Sequence, residues 1–125
     1  MHLLLDTHVF IWWLNDDVQL SKKARLFIES ADDIYISSAS IWEAAIKVQL
    51  GKLDVNMELL AQSITSEGFI ELPVSVKHAL FVLSLAPHHR DPFDRILISQ
   101  ALSEPLRFLT ADQSLQHYSD LVECV

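Results

Sequence analysis

Cys124 is the only cysteine, so no disulfide can form within the chain and a packed core must hold the fold. A single thiol fits a reducing compartment, and the expected location is the cytoplasm. Glycine is almost as scarce, with 2 residues in 125, which excludes a glycine-rich phosphate loop. Nor is there a Gly-x-Ser-x-Gly segment to set a serine nucleophile on a sharp turn. No apolar run reaches the roughly 18 uncharged residues needed to cross a bilayer, because Asp6, Glu43 and Asp94 fall within or beside the longest ones. No membrane partner is therefore expected. Met1 to Leu14 has no basic start and contains Asp6 and His8, which argues against a secretory signal peptide. Basic residues are few, 9 against 17 acidic ones, and the net charge of -8 opposes long-range attraction of phosphates. A phosphate-handling role must overcome this charge, and bound divalent cations could do so locally.

What is present is apolar surface: half of the residues are hydrophobic and 21% are charged, enough for a packed core and too little polarity for disorder. Length and the lack of a linker-like stretch predict one domain over residues 1–125. His2-Leu3-Leu4-Leu5 is a continuous apolar run, as expected of a strand buried on both faces of a parallel sheet. Ile34-Tyr35-Ile36, Phe69 to Leu72, Leu106 to Leu109 and Leu121 to Val125 supply four more strands. Helical spacing of Val9, Phe10, Trp13 and Leu14 predicts a first helix. Others are expected from Ser21 to Ser30, through Trp42 and Ile46 to a stop at Gly51, from Met57 to Ser66, and from Ser75 through Leu85. The clearest starts at Asp91, with Pro92 in the first helical position and Phe93, Ile96, Leu97 and Ala101 on one face. A short helix follows Asp112. Strands alternate with helices, so the class is α/β around a mainly parallel sheet of about five strands.

In such sheets ligands gather beyond the carboxyl ends of the strands, and Asp6 and Asp112 both fall there. Each also suits a helix N-cap. Asp91 and Asp94 share the first turn of their helix, where they favour its dipole and resemble an acidic capping box. Asp94, however, stands next to Ile96-Leu97-Ile98, at the border of the core, where a charge needs a partner. Glu43 precedes Lys47 by four residues, the spacing of a helical ion pair, yet Trp42, Ala44, Ala45 and Ile46 leave little of that helix for water. Carboxylates gathered at one sheet edge repel unless cations sit between them, and Mg²⁺ or Mn²⁺, which prefer oxygen ligands, suit the role. His88 and His89 beside Asp91 raise zinc as an alternative. The lack of any His-x-x-x-His or His-Glu-x-x-His segment argues against it.

Leu3-Leu4-Leu5-Asp6-Thr7-His8, Ser40-Ile41-Trp42-Glu43-Ala44-Ala45-Ile46-Lys47, His89-Arg90-Asp91-Pro92-Phe93-Asp94-Arg95 and Leu109-Thr110-Ala111-Asp112, in this order, resemble the PIN-domain family and within it the VapC-like toxins. Ser99 and Pro105 depart from the pattern, but away from the acids. The resemblance implies a Rossmann-like, three-layer α/β/α fold with an acidic pocket that binds Mg²⁺ or Mn²⁺ and cleaves single-stranded RNA. Asp6, Glu43, Asp94 and Asp112 match the family's four acids. Asp91 fits the Asp-Pro-Phe-Asp segment of a subgroup. Thr110 is a candidate to orient a ligand carboxylate or, equally, a turn hydroxyl. Arg95 and Lys47 are candidates to steady phosphate oxygens or to pair locally with acids. The implied partners are RNA, a cognate antitoxin that blocks the pocket with a basic side chain, and a second copy of the chain. Adjacent Trp12 and Trp13 point about a hundred degrees apart, so one of them is a candidate to face such a partner. The rival readings are a DNA-directed or structure-specific nuclease and an inactive PIN domain that only binds.

Overall fold

The computed structural model describes residues 1–87 and 91–125; His88 and His89, on which the zinc alternative rested, lie outside the described residues. Five strands, β1 (His2–Leu5), β2 (Asp33–Ser37), β3 (Ile70–Leu72), β4 (Arg107–Thr110) and β5 (Val122–Cys124), form one sheet in the order β3-β2-β1-β4-β5. Every pairing is parallel. Six α-helices, α1 (Thr7–Leu14), α2 (Lys22–Ser30), α3 (Ser38–Gln49), α4 (Met57–Ser66), α5 (Val76–Phe81) and α6 (Pro92–Ser103), connect them among the described residues.

β1 is the middle strand, and its three leucines are fully buried. Side chains alternate across a strand, so Leu3 and Leu5 enter a core with Phe10, Ile28, Ile36 and Ile64. Leu4 enters the opposite one, with Leu97, Ile98 and Phe108. Register keeps each layer in line: Leu4 is opposite Phe108 and Leu5 opposite Leu109. The two cores flank one sheet, which is the three-layer α/β/α arrangement expected from the sequence.

Polar residues set the helix starts. Ser21, Ser37, Asn56 and Ser75 each accept a hydrogen bond from a backbone N–H of the first turn. Gly51 follows α3 with φ +71°, a conformation that glycine adopts without a side-chain penalty. Two expectations shift in detail. The helix expected from Ser75 through Leu85 keeps α-geometry only to Phe81 and then tightens into a 3-10 turn, Val82–Ser84. The short helix after Asp112 is a 3-10 segment, Gln113–Tyr118. No helix of the described residues is long and apolar enough to cross a membrane.

The α5 start carries a pH dependence. His78 is buried, and its Nδ1 accepts the Ser75 N–H at 3.0 Å. The ring therefore holds its proton on Nε2, 2.8 Å from Glu104 Oε2. That hydrogen bond, with help from Lys77, holds the Glu104 carboxyl below the usual glutamate value. A lowered carboxylate stabilises the fold above its unfolded pKa and loses this contribution as pH falls through the folded one. Glu104→Gln is thus expected to narrow the difference between urea midpoints measured at neutral pH and near pH 3. An unchanged difference would show that the contact is energetically silent.

Candidate active site

The chain runs from β1 outward through β2 and β3, then returns to the other side of β1 as β4. At such a switch point successive connections leave in opposite directions and open a crevice beyond the carboxyl ends of the strands. Asp6 directly follows β1, and its N–H donates to the Leu109 carbonyl at 2.9 Å, continuing the β1–β4 ladder. Thr110 thereby arrives beside it. The Thr110 hydroxyl donates to Asp6 Oδ2 at 2.7 Å and accepts the Asp112 N–H at 3.0 Å. Asp6 Oδ1 accepts the Thr7 N–H at 2.7 Å. Asp6 is therefore the N-cap of α1 and a wall of the crevice at once.

Glu43 comes from the other neighbour of β1. β2 ends at Ser37, which caps α3, and the second turn of that helix brings Glu43 to the crevice almost fully buried. Thr7 Oγ1 lies 2.8 Å from Glu43 Oε1 and 2.9 Å from Ser40 Oγ. With one proton to give, it donates to the carboxylate and accepts from Ser40. Lys47 Nζ donates to Glu43 Oε2 at 2.8 Å and stands 3.4 Å from His8 Nε2. The pairing expected for Glu43 and Lys47 is present, but half-buried in the crevice rather than on an open surface.

α6 brings the remaining acids. Asp91 Oδ1 accepts the N–H groups of Phe93 and Asp94, at 2.8 and 3.3 Å, and Pro92 fills the first helical position. Asp94 sits in the first turn, half-exposed. Asp112 caps the 3-10 segment by accepting from the Ser114 N–H and hydroxyl. Asp6, Glu43, Asp91, Asp94 and Asp112 all line one cavity of about 290 Å³, with His8, Trp12, Lys47 and Ala111. Thr110 stands behind Asp6, fully buried. Arg95 is the candidate not brought to the cavity wall: its guanidinium donates to the carbonyls of Ala86 and Val82 at 3.0 and 3.3 Å.

Burial is the main force on Asp6 and pushes its carboxyl above the usual aspartate value. The neighbouring Glu43 charge adds to the rise, while the Thr110 and Thr7 hydrogen bonds oppose it. A carboxylate so placed is costly as an anion unless a cation joins it. The donors around the cavity are mostly carboxylate oxygens, a set that suits a hard divalent cation. Among the described residues no three Asp, Glu, His or Cys side chains already stand around one point as a finished ligand set. The acids line a cavity rather than close on an ion.

Three residues of this site carried no role from sequence, Thr7, Ser40 and His8, and Trp12 carried only a candidate contact with a partner. Thr7 had a signal in its place directly after Asp6. Ser40 had none, because its partner lies 33 residues away. Trp12 and Trp13 are both half-buried, and Trp13 donates to Glu67. The exposed tryptophan is Trp42, 64% accessible and packed edge-on against Phe93.

A five-stranded, all-parallel sheet flanked by helices agrees with what family comparison finds. The PIN domain family matches residues 3–121, and the chain belongs to that family. It is 27% identical over 122 residues to Ribonuclease VapC22 of Mycobacterium tuberculosis (strain ATCC 25618 / H37Rv), a match covering 93% of this chain and 91% of that protein. The fold is shared with VapBC2 from Rickettsia felis bound to a DNA fragment from their promoter, at a TM-score of 0.70 and 17% identity over 98% of this chain and 96% of that one. A toxin-antitoxin complex from Klebsiella pneumoniae gives 0.69 and 15% over 97% and 95%.

Proposed function

We propose that this protein, acting as one PIN unit over residues 1–125, is a divalent-metal-dependent endoribonuclease of the cytoplasm and the toxin of a toxin-antitoxin pair. Its substrate is single-stranded RNA. The observation that carries this reading is the meeting of Asp6, Glu43, Asp94 and Asp112 on one cavity, although they come from four separate parts of the chain. Family membership and the ribonuclease relative support it.

Asp6, Asp94 and Asp112 would hold Mg²⁺ or Mn²⁺, with Asp91 beside them. When bound, such a cation supplies positive charge at a phosphodiester and lowers the pKa of water there. Glu43 holds or deprotonates the attacking water, and Thr7 fixes the direction of its carboxylate. Lys47 steadies a phosphate oxygen from its place between Glu43 and His8. Thr110 keeps Asp6 turned toward the cavity.

Thr7→Val removes the hydrogen bond to Glu43 and keeps the side chain's shape. It is expected to slow RNA cleavage by about 10-fold to 100-fold, the usual effect of losing a group that orients a ligand or base. A rate equal to wild type would detach Thr7 from the chemistry. The function itself is tested by incubating single-stranded RNA and DNA of equal sequence with Mg²⁺, with Mn²⁺ or with EDTA. Internal cuts in RNA, abolished by EDTA, are expected. Equal cutting of DNA would point to a broader nuclease, and no cutting of either would point to a binding module.

The antitoxin is expected to place a basic side chain in the acidic cavity, where the charge attracts it. The structural relative from Klebsiella pneumoniae is a toxin-antitoxin complex by description, and the one from Rickettsia felis is VapBC2 bound to a DNA fragment from their promoter. A second copy of the chain is the other partner. Trp42, Val76, Leu80 and Leu83 are 62 to 86% exposed, apolar side chains of the kind such a contact would cover.

A further inference from the structure

We infer that Trp12, with His8 one helical turn before it, forms a seat for an RNA base next to the cleaved phosphate. This rests on the nuclease reading above and names a contact beyond the acids. His8 and Trp12 are four apart on α1, which places them on one face of the helix. Their ring centroids are 6.0 Å apart with planes tilted by 32°. Trp12 packs against the core that contains Val9 and Phe10, and it also lines the acidic cavity. The ring is thus braced on one side and borders the site on another.

Core packing does not require an indole in a cavity walled mostly by carboxylates. A nucleotide does: its base needs an aromatic face, and its phosphate needs a cation beside the acids. Lys47 Nζ stands 3.4 Å from His8 Nε2, between the rings and Glu43. Stacking tolerates any base, because every base has a π-face. An unpaired nucleotide reaches such a ring without the cost of breaking a base pair, so the seat favours single strands. The rival occupant is an arginine of a partner protein, since a guanidinium also stacks on tryptophan.

The test uses short single-stranded RNAs, intact or with one abasic ribose moved along the chain, cleaved in Mg²⁺ by wild type, Trp12→Phe and Trp12→Leu. For wild type, one abasic position beside the cut is expected to raise KM by about 10-fold to 100-fold with little change in kcat. Trp12→Leu should show that raised KM on intact RNA and lose nothing further at the abasic position. Trp12→Phe, which retains a ring, should stay near wild type and keeps the test valid if the leucine variant fails to fold. An unchanged KM for Trp12→Leu, or an equal further loss at the abasic position, overturns the base seat and leaves the nuclease reading intact. If wild type cleaves nothing, the nuclease reading falls, and fluorescence decides the seat. In a Trp13→Phe/Trp42→Phe protein the one remaining indole is Trp12. Quenching by intact RNA but not by the abasic strand supports the stack. Quenching by an arginine peptide and not by RNA assigns the ring to a protein partner and overturns it, as does no quenching by either.

Discussion

Asp94→Asn is expected to slow cleavage of single-stranded RNA by at least about 100-fold and to leave the fold in place. The side chain lines the acidic cavity from the first turn of α6. Asparagine keeps its size but is a poor ligand for a hard cation, because it lacks the negative charge. The helix start survives the change, since Asp91 accepts the first-turn N–H groups. Further along the same helix, Leu97, Ile98 and Ala101 hold it to the core. Expression in a host lacking the antitoxin should arrest growth for wild type and not for the variant. Equal toxicity, together with equal cleavage by the purified proteins, would remove Asp94 from the mechanism.

Asp6→Asn is expected to abolish cleavage to a similar degree and, in the absence of divalent cations, to raise thermal stability at neutral pH. The two effects share one cause. Burial has pushed the Asp6 carboxyl up, and a group whose folded pKa exceeds its unfolded one stabilises the fold below the unfolded value. That contribution is lost as pH rises through the folded value. Relative to the asparagine variant, metal-free wild type should therefore lose stability as pH rises from the acid range, the opposite contribution of Glu104 being common to both. The amide can keep the Thr7 N–H bond through its oxygen and donate through its NH₂ to Thr110 Oγ1, whose own proton gives up the acceptor it had in Asp6 and so offsets part of the gain. Added Mn²⁺ should raise the melting temperature of wild type, because a ligand bound only to the folded state stabilises it, and should leave the variant unmoved. A variant less stable than metal-free wild type at every pH would contradict this account of Asp6.

These two aspartates also show what could be read from the linear chain and what could not. β1 was legible because a middle strand buried on both faces must be an unbroken apolar run, and Leu3, Leu4 and Leu5 are one. The start of α6 was legible because Asp91 and Pro92 encode a cap and a first turn locally. The placement of Asp6 and Asp112 beyond their strands followed from the same local signals. Their closeness did not: it depends on Leu5 lying opposite Leu109, and the Thr110 to Asp6 bond spans 104 residues. Helix caps and cavity walls were weighed as competing roles for Asp6, Asp91 and Asp112. All three are both, because a cap points its carboxylate to the end of the helix and three helical segments begin at this crevice. Arg95 follows Asp94 directly, but neighbours on a helix point about 100° apart, and its guanidinium reaches the carbonyls of Ala86 and Val82 and the Tyr118 hydroxyl.

Calorimetric titration of the purified, metal-free protein with Mn²⁺ tests most directly whether the gathered acids share a cation. Saturable binding is expected for wild type, strongly weakened in both Asp6→Asn and Asp94→Asn, with all three proteins folded by circular dichroism. Binding of equal strength to all three, or none to wild type, would contradict it.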